Sequence, residues 1–255
     1  MTLQHLISTP HAEAKIALLI DADNAPASKI AVILSEIAKY GVANVRRAYG
    51  NWTSPTLHGW QACLHEYAIR PIQQFDYTKG KNAADTALII DAMDLLYTQH
   101  LDAFAVVSSD CDFTPLVMRL LTNGLKVYGF GEQKTPLPFV SACSRFLFLE
   151  TIDQESTPER PKAALGLKKT GAELKQDTKL MNVLRGAVSS TKDKDGWSPL
   201  AEVGNHITNQ SSFDPRNYGY AKLSMVFETI DVFEIQRREQ GVYVRSKQKS
   251  IKQKA

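Results

Sequence analysis

Short apolar runs alternating with helical stretches predict an α/β first domain, a parallel sheet with helices on both faces. Three observations carry this. Lys15 to Ile20 and Phe104 to Val107 are continuous apolar runs of strand length, the pattern of strands buried on both faces. Both runs end in acids, Asp21-Ala22-Asp23 and Asp110-Cys111-Asp112, at the strand C-termini where open α/β sheets place their ligands. The alternation stops near residue 150, and three helical stretches with two terminal β-runs follow.

In order, residues 1–14 read as a disordered leader. After the first strand, Pro26 opens a helix to about Tyr40, with Gly41 beyond its last turn. Val42 to Tyr49 reads as a second strand, Thr56 to Tyr67 as a helix and Ile69 to Phe75 as a third strand. A polar loop, Asp76 to Asn82, leads into a long helix from Ala83 to about Gln99, with Asp85 in its first turn. The fourth strand ends at Val107, and a helix runs from Thr114 to Asn123, capped by Gly124. Leu125 to Phe130 is a strand, Leu137 to Ser144 a short helix and Phe146 to Leu149 a last strand. The first domain therefore spans 15–150.

Residues 151–170 carry Thr157-Pro158, Arg160-Pro161 and dense charge, and read as a linker. The second domain spans 171–246. Glu173 to Ser190 is a helix, Gly196-Trp197-Ser198-Pro199 starts a second, and Asp214-Pro215-Arg216-Asn217-Tyr218-Gly219-Tyr220 leads into a third that ends near Thr229. Phe233 to Arg237 and Val242 to Arg245 form a hairpin around Glu239-Gln240-Gly241. Three helices and a hairpin describe a winged helix. Residues 247–255 form a basic tail.

Composition narrows the function. With 44% apolar and 22% charged residues, the chain can build an ordinary globular core. No apolar run approaches a membrane span, and no signal peptide is evident. Three scattered cysteines, without a CxxC pair, argue against zinc and disulfide frameworks and fit a reducing cytoplasm. The net charge of +3 is unevenly divided: residues 1–150 carry −2 and residues 151–255 carry +5. An acid-bearing core joined to a cationic module suggests an enzyme coupled to a polyanion binder.

The acids define the candidate site. Asp21, Asp85, Asp110 and Asp112 come from three segments but converge on one sheet edge if the topology holds. Paired acids repel unless a cation or proton neutralises them. Oxygen-only ligands suit Mg²⁺ or Mn²⁺, which can activate water and clamp a phosphodiester oxygen. Asn24 could orient a metal-bound water or a phosphate, or act only as a turn residue. Asp23 could point elsewhere from the same turn. Ser108 and Ser109 could donate to phosphate or to the acids. Lys79 and Lys81, before the Asp85 helix, could reach substrate phosphate.

Three motifs resemble NYN domains, PIN-like nucleases whose bacterial branch is called LabA-like. They are Leu19-Ile20-Asp21-Ala22-Asp23-Asn24, Lys81-Asn82-Ala83-Ala84-Asp85 with Asp91 beyond, and Ser108-Ser109-Asp110-Cys111-Asp112-Phe113-Thr114-Pro115-Leu116. Gly124-Leu125-Lys126-Val127-Tyr128-Gly129 extends the match. The resemblance implies a PIN-like sandwich and a Mg²⁺- or Mn²⁺-dependent ribonuclease site at Asp21, Asp85, Asp110 and Asp112. Ser109 departs from it, standing where glycine is usual.

Gly196-Trp197-Ser198-Pro199-Leu200 and Phe213 to Leu223 resemble the LOTUS, or OST-HTH, domain, a winged helix associated with RNA and, in some members, with protein partners. On that resemblance Arg216 and Lys222 are candidates for phosphate contact. Tyr218 and Tyr220 could stack bases or belong to the core. The expected protein is a metal-dependent ribonuclease with an RNA-holding module. The alternatives are an RNA-binding adaptor without catalysis, a scaffold that recruits a protein, and a phosphatase suggested by Asp21-Ala22-Asp23. In the last case Ala25 breaks the motif.

Overall fold

The computed structural model describes residues 13–75, 83–152 and 168–247. Most of the expected leader, linker and tail lies outside the described residues. Strands β1 (Lys15–Asp21), β2 (Val42–Gly50), β3 (Arg70–Gln73), β4 (Ala103–Val107), β5 (Lys126–Gly131) and β6 (Arg145–Phe148) form one parallel sheet, ordered β3-β2-β1-β4-β5-β6. The order reverses between β1 and β4, which opens a crevice at their C-terminal ends. Around the sheet lie α1 (Ile30–Ile37), α2 (Trp60–Glu66), α3 (Ala83–Thr98), α4 (Thr114–Thr122), α5 (Leu137–Ala142) and α6 (Leu149–Ile152).

β1 shows why the sheet is double-faced. Ile16, Leu18 and Ile20 pack with Ile30, Ile33 and Ile37 of α1. The intervening Ala17 and Leu19 pack on the other face with Leu88, Ala92 and Leu95 of α3 and Leu116, Val117 and Leu120 of α4. Alternation along a strand sends neighbours to opposite faces, and here both faces are dry. Each buried Ile or Leu contributes about 1.5–3 kcal/mol.

The second domain contains α7 (Gly171–Gln176), α8 (Thr178–Thr191), β7 (Ser198–Pro199), α9 (Leu200–Gln210), α10 (Leu223–Thr229), β8 (Phe233–Arg238) and β9 (Gly241–Ser246), with an antiparallel sheet ordered β7-β9-β8. It departs from the sequence reading in two places. The first helix is broken at Asp177, whose carboxylate accepts from the Leu180 amide and caps α8; Asp is among the strongest N-caps. The second helix starts later, because Ser198 and Pro199 pair with β9. The lead-in to the third, expected over Asp214 to Tyr220, is itself ordered: Asp214 caps a 3₁₀ turn at Pro215–Tyr218, and Gly219 at φ 81° ends it. No helix among the described residues is long and apolar enough to cross a membrane.

That 3₁₀ turn joins the two domains. Arg216 Nη1 and Nη2 donate to Glu36 Oε2 and Oε1 of α1 at 2.8 and 2.7 Å. Its Nε and Nη2 also donate to Asp214 at 2.9 and 3.0 Å. Asp214 lies 3.7 Å from Arg145 Nε. Arg145 donates to the Tyr40 hydroxyl at 2.7 Å, and that hydroxyl donates to Glu36 at 2.9 Å, closing a ring of five side chains. Asn217 donates from Nδ2 to the Phe146 carbonyl at 2.8 Å and accepts from the Phe148 amide at 3.2 Å, so one side-chain amide pairs with the outer edge of β6. Lys179 of α8 adds a bond to Ser141 Oγ at 2.8 Å.

The Glu36 and Arg216 side chains are 2% and 11% exposed, so loss of either leaves its partner buried and unpaired. Burial raises the Glu36 pKa, but hydrogen bonds from Arg216, Lys39 and Tyr40 outweigh it and hold the carboxyl at about 2. The stability it contributes is complete above the ordinary value of 4.5 and is lost as pH falls from there towards 2. Arg216→Ala should therefore lower unfolding free energy by about 3 kcal/mol at neutral pH. It should also flatten the decline of stability between pH 4.5 and 3, as measured by denaturant titration. Arg216→Lys, which cannot reproduce the two-pronged contact, should recover only part of the loss.

Candidate metal centre at the sheet switch point

Asp21 is the last residue of β1 and is 1% exposed. The register that pairs Ile20 with Val107 brings the Asp21 carboxylate beside the residue that follows β4, Ser108. Ser108 Oγ donates to Asp21 Oδ2 at 2.7 Å, and Asn24 Nδ2 donates to the same oxygen at 2.9 Å. Asp21 Oδ1 is also buried, yet it has no hydrogen-bond partner among the described residues. Buried acceptors are almost always satisfied, so an orphaned oxygen on a carboxylate close enough to feel the charge of Asp110 fits a cation. Burial raises the Asp21 pKa; the Ser108 and Asn24 hydrogen bonds oppose that rise, and the charge of Asp110 adds to it.

Beyond β4 the chain makes a 3₁₀ turn, Cys111–Phe113, before α4. Asp110 is its N-cap: Asp110 Oδ1 accepts from the Asp112 amide at 2.9 Å. The Asp110 amide donates to Ser108 Oγ at 3.0 Å. The Ser108 hydroxyl thus ties the ends of β1 and β4 together. β5 passes close by, since a Cβ on Gly131 would lie 2.6 Å from the Ser108 carbonyl oxygen. Side-chain ligand atoms of Asp110, Cys111 and Asp112 lie within 4.8 Å of one another.

Asp85 stands in the first turn of α3. Its pKa is pushed up to about 7, first by burial and then by the charges of Asp21, Asp110, Asp23 and Asp112. The four predicted acids therefore act on one another, with Asp23 as a fifth. Asp21 and Asp85 stand outside the compact Asp110–Asp112 cluster. Mg²⁺ usually keeps several of its waters, so carboxylates can hold it without all touching it.

Other predicted residues fall elsewhere. Lys81 and Lys79 lie outside the described residues. Asn24 supports Asp21. Ser109 Oγ accepts from the Glu132 amide beyond β5 at 2.9 Å, so its hydroxyl is held away from the Asp110 turn. Arg216 corrects the sequence reading: its guanidinium is engaged by Glu36 and Asp214, and the expected phosphate contact gives way to a domain lock. Lys222 is exposed ahead of α10. Tyr220 is buried in the second core with its hydroxyl on the Lys169 carbonyl, and Tyr218 packs on Phe213 in the same cluster. Asp91 binds Arg47 and Tyr49 rather than joining the other acids. The residue most undervalued by sequence reading is Ser108; a hydroxyl just past a fully apolar strand was its signal.

Mutual repulsion yields a measurable consequence. A folded-state pKa raised above the unfolded value makes stability fall as pH rises from about 4 through 7. In EDTA at pH 8, Asp85→Asn should therefore raise the melting temperature. Added Mn²⁺ should stabilise the wild type more at pH 8 than at pH 6, because Asp85 must give up its proton. In Asp85→Asn that gain should be small and nearly independent of pH. Thermal melts at the two pH values check both outcomes.

Comparison with known proteins agrees with this organisation. The NYN domain model matches residues 15–150, and the OST-HTH/LOTUS domain model matches residues 175–245. No curated protein shows significant similarity over the chain. A similar solved structure is a protein of unknown function from Vibrio parahaemolyticus, 18% identical, with a TM-score of 0.46 over 55% of this chain and 95% of that one. With more than half its length matched by the first of these models, the chain belongs to the NYN domain family and carries a C-terminal OST-HTH/LOTUS domain.

Proposed function

We propose that the protein is a metal-dependent ribonuclease whose first domain hydrolyses RNA phosphodiester bonds and whose second domain holds the RNA. The observation that carries this reading is the placement of acids from two strand ends and the start of α3 together, with the buried Asp21 Oδ1 left without a hydrogen-bond partner among the described residues. Repulsion among such acids is costly to maintain, and a divalent cation relieves it. Membership of the NYN family supports nuclease chemistry over other uses of an acidic crevice.

Asp21, Asp85, Asp110 and Asp112 would hold Mg²⁺ or Mn²⁺. When bound, the cation supplies a nucleophilic water and a clamp on the phosphodiester oxygen. The protein's own groups set the frame. Ser108 and Asn24 fix Asp21 Oδ2 and leave Oδ1 as the free acceptor. The 3₁₀ turn aims Asp110 and Asp112 from a rigid base. Lys222 and the cationic second half of the chain would hold the phosphate backbone. The Ser109 hydroxyl is engaged by the Glu132 amide beyond β5.

The test is cleavage of labelled single-stranded and hairpin RNA by the full chain with Mg²⁺, Mn²⁺ or EDTA. Cleavage should require the metal, and Asp110→Asn should lower it by at least roughly a hundredfold. Ser108→Ala should lower it less, roughly tenfold, through misplacement of Asp21. Activity that persists in Asp110→Asn or in EDTA would belong to a contaminant. RNA binding without metal-dependent cleavage would favour the adaptor reading.

A further inference from the structure

The outer face of the second domain's hairpin carries a stack that its core does not use. The β8–β9 register places Glu234, Gln236, Arg238, Tyr243 and Arg245 on one face, opposite Val244, which is buried. The Arg238 guanidinium carbon lies 4.3 Å from the Tyr243 ring centroid and 5.4 Å from that of Trp197. The Arg245 guanidinium carbon lies 4.4 Å from the Trp197 ring. The order is Tyr243, Arg238, Trp197, Arg245: rings and planar cations in alternation. Neither Trp197 nor Tyr243 belongs to the apolar cluster that holds the domain together.

The two arginines are anchored differently. Arg245 donates to Glu234 from Nε and Nη2 at 2.7 and 2.6 Å, so its charge is matched and its plane fixed. Arg238 donates to Gln236 Oε1 at 3.1 and 2.9 Å, and has no carboxylate partner among the described residues. It is exposed, as are Arg237 and Lys247 nearby. The sequence beyond adds Lys249, Lys252 and Lys254 with no acid.

We propose that this face is a stacking platform for the unpaired bases of single-stranded RNA, with Tyr243 and Trp197 as the stacking rings and Arg238 as the planar cation between them. The choice of RNA rests on the proposed function; the choice of single strands rests on the ladder. Aromatic and guanidinium planes offer a surface that any exposed base can extend, with little regard to sequence. In a duplex the base faces are enclosed and only phosphates and groove edges are presented, so rings would add nothing. Arg237, on the opposite hairpin face, is paired with Glu228 at 2.8 Å and takes no part in the ladder.

The experiment measures binding of fluorescein-labelled oligouridylate, and of an RNA duplex of equal length, to the full chain in EDTA by fluorescence anisotropy. Tyr243→Leu removes a ring at constant charge, and Arg238→Lys keeps the charge but loses the plane. Each should weaken single-strand binding about tenfold with little change in salt dependence, while duplex binding is weaker from the start and unaffected. Arg237→Lys should bind as wild type, and unchanged melting curves establish that the variants are folded. The proposal is overturned if both ladder variants bind oligouridylate like wild type, or if the duplex binds as tightly as the single strand. Because no metal is present, loss of cleavage leaves this outcome untouched, and cleavage by a protein with an idle ladder would refute the platform alone.

Discussion

Carboxylates at the ends of β1 and β4 repel one another and the acid at the start of α3, and the first domain must hold them close despite that. Its means are mechanical. β1 is buried on both faces, so its end cannot drift. The Ser108 hydroxyl binds the Asp21 carboxylate and the Asp110 amide together, and Gly131 lets β5 close against the Ser108 carbonyl. Repulsion and rigidity oppose each other here.

The junction between the domains follows a different logic. It is built from charge and amide chemistry, with Glu36, Arg216, Asp214, Arg145 and Tyr40 in a closed circuit. Buried ion pairs contribute less net stability than apolar packing, but they tolerate few alternative geometries. That suits a junction whose task is orientation. The second domain is thereby held in one pose on the NYN domain, with its hairpin ladder on a face of its own.

Much of this was legible in the sequence, for physical reasons. β1 and β4 are continuous apolar runs because both their faces are dry, and such runs are hard to mistake. The acids at their ends follow from the place of ligands in parallel sheets. Local patterns served less well in the second domain, where Asp177 interrupts a helical stretch that is apolar on both sides of it. Arg216 was beyond reach: its partner Glu36 lies 180 positions away, and a surface cation reads the same before and after it finds a buried acid. Tyr220 was ambiguous because an aromatic beside cations suits a core and a base equally well.

One modest contact has an outsized role in solubility. The outermost strand of an open sheet is a template for other chains, and proteins must blunt it. On β6, Asn217 does so with a side chain in place of another strand, filling one acceptor and one donor. A first domain severed in the linker would bare those groups and be free to polymerise edge to edge. The second domain therefore covers part of the β6 edge, a structural tie between the two domains that is independent of any substrate.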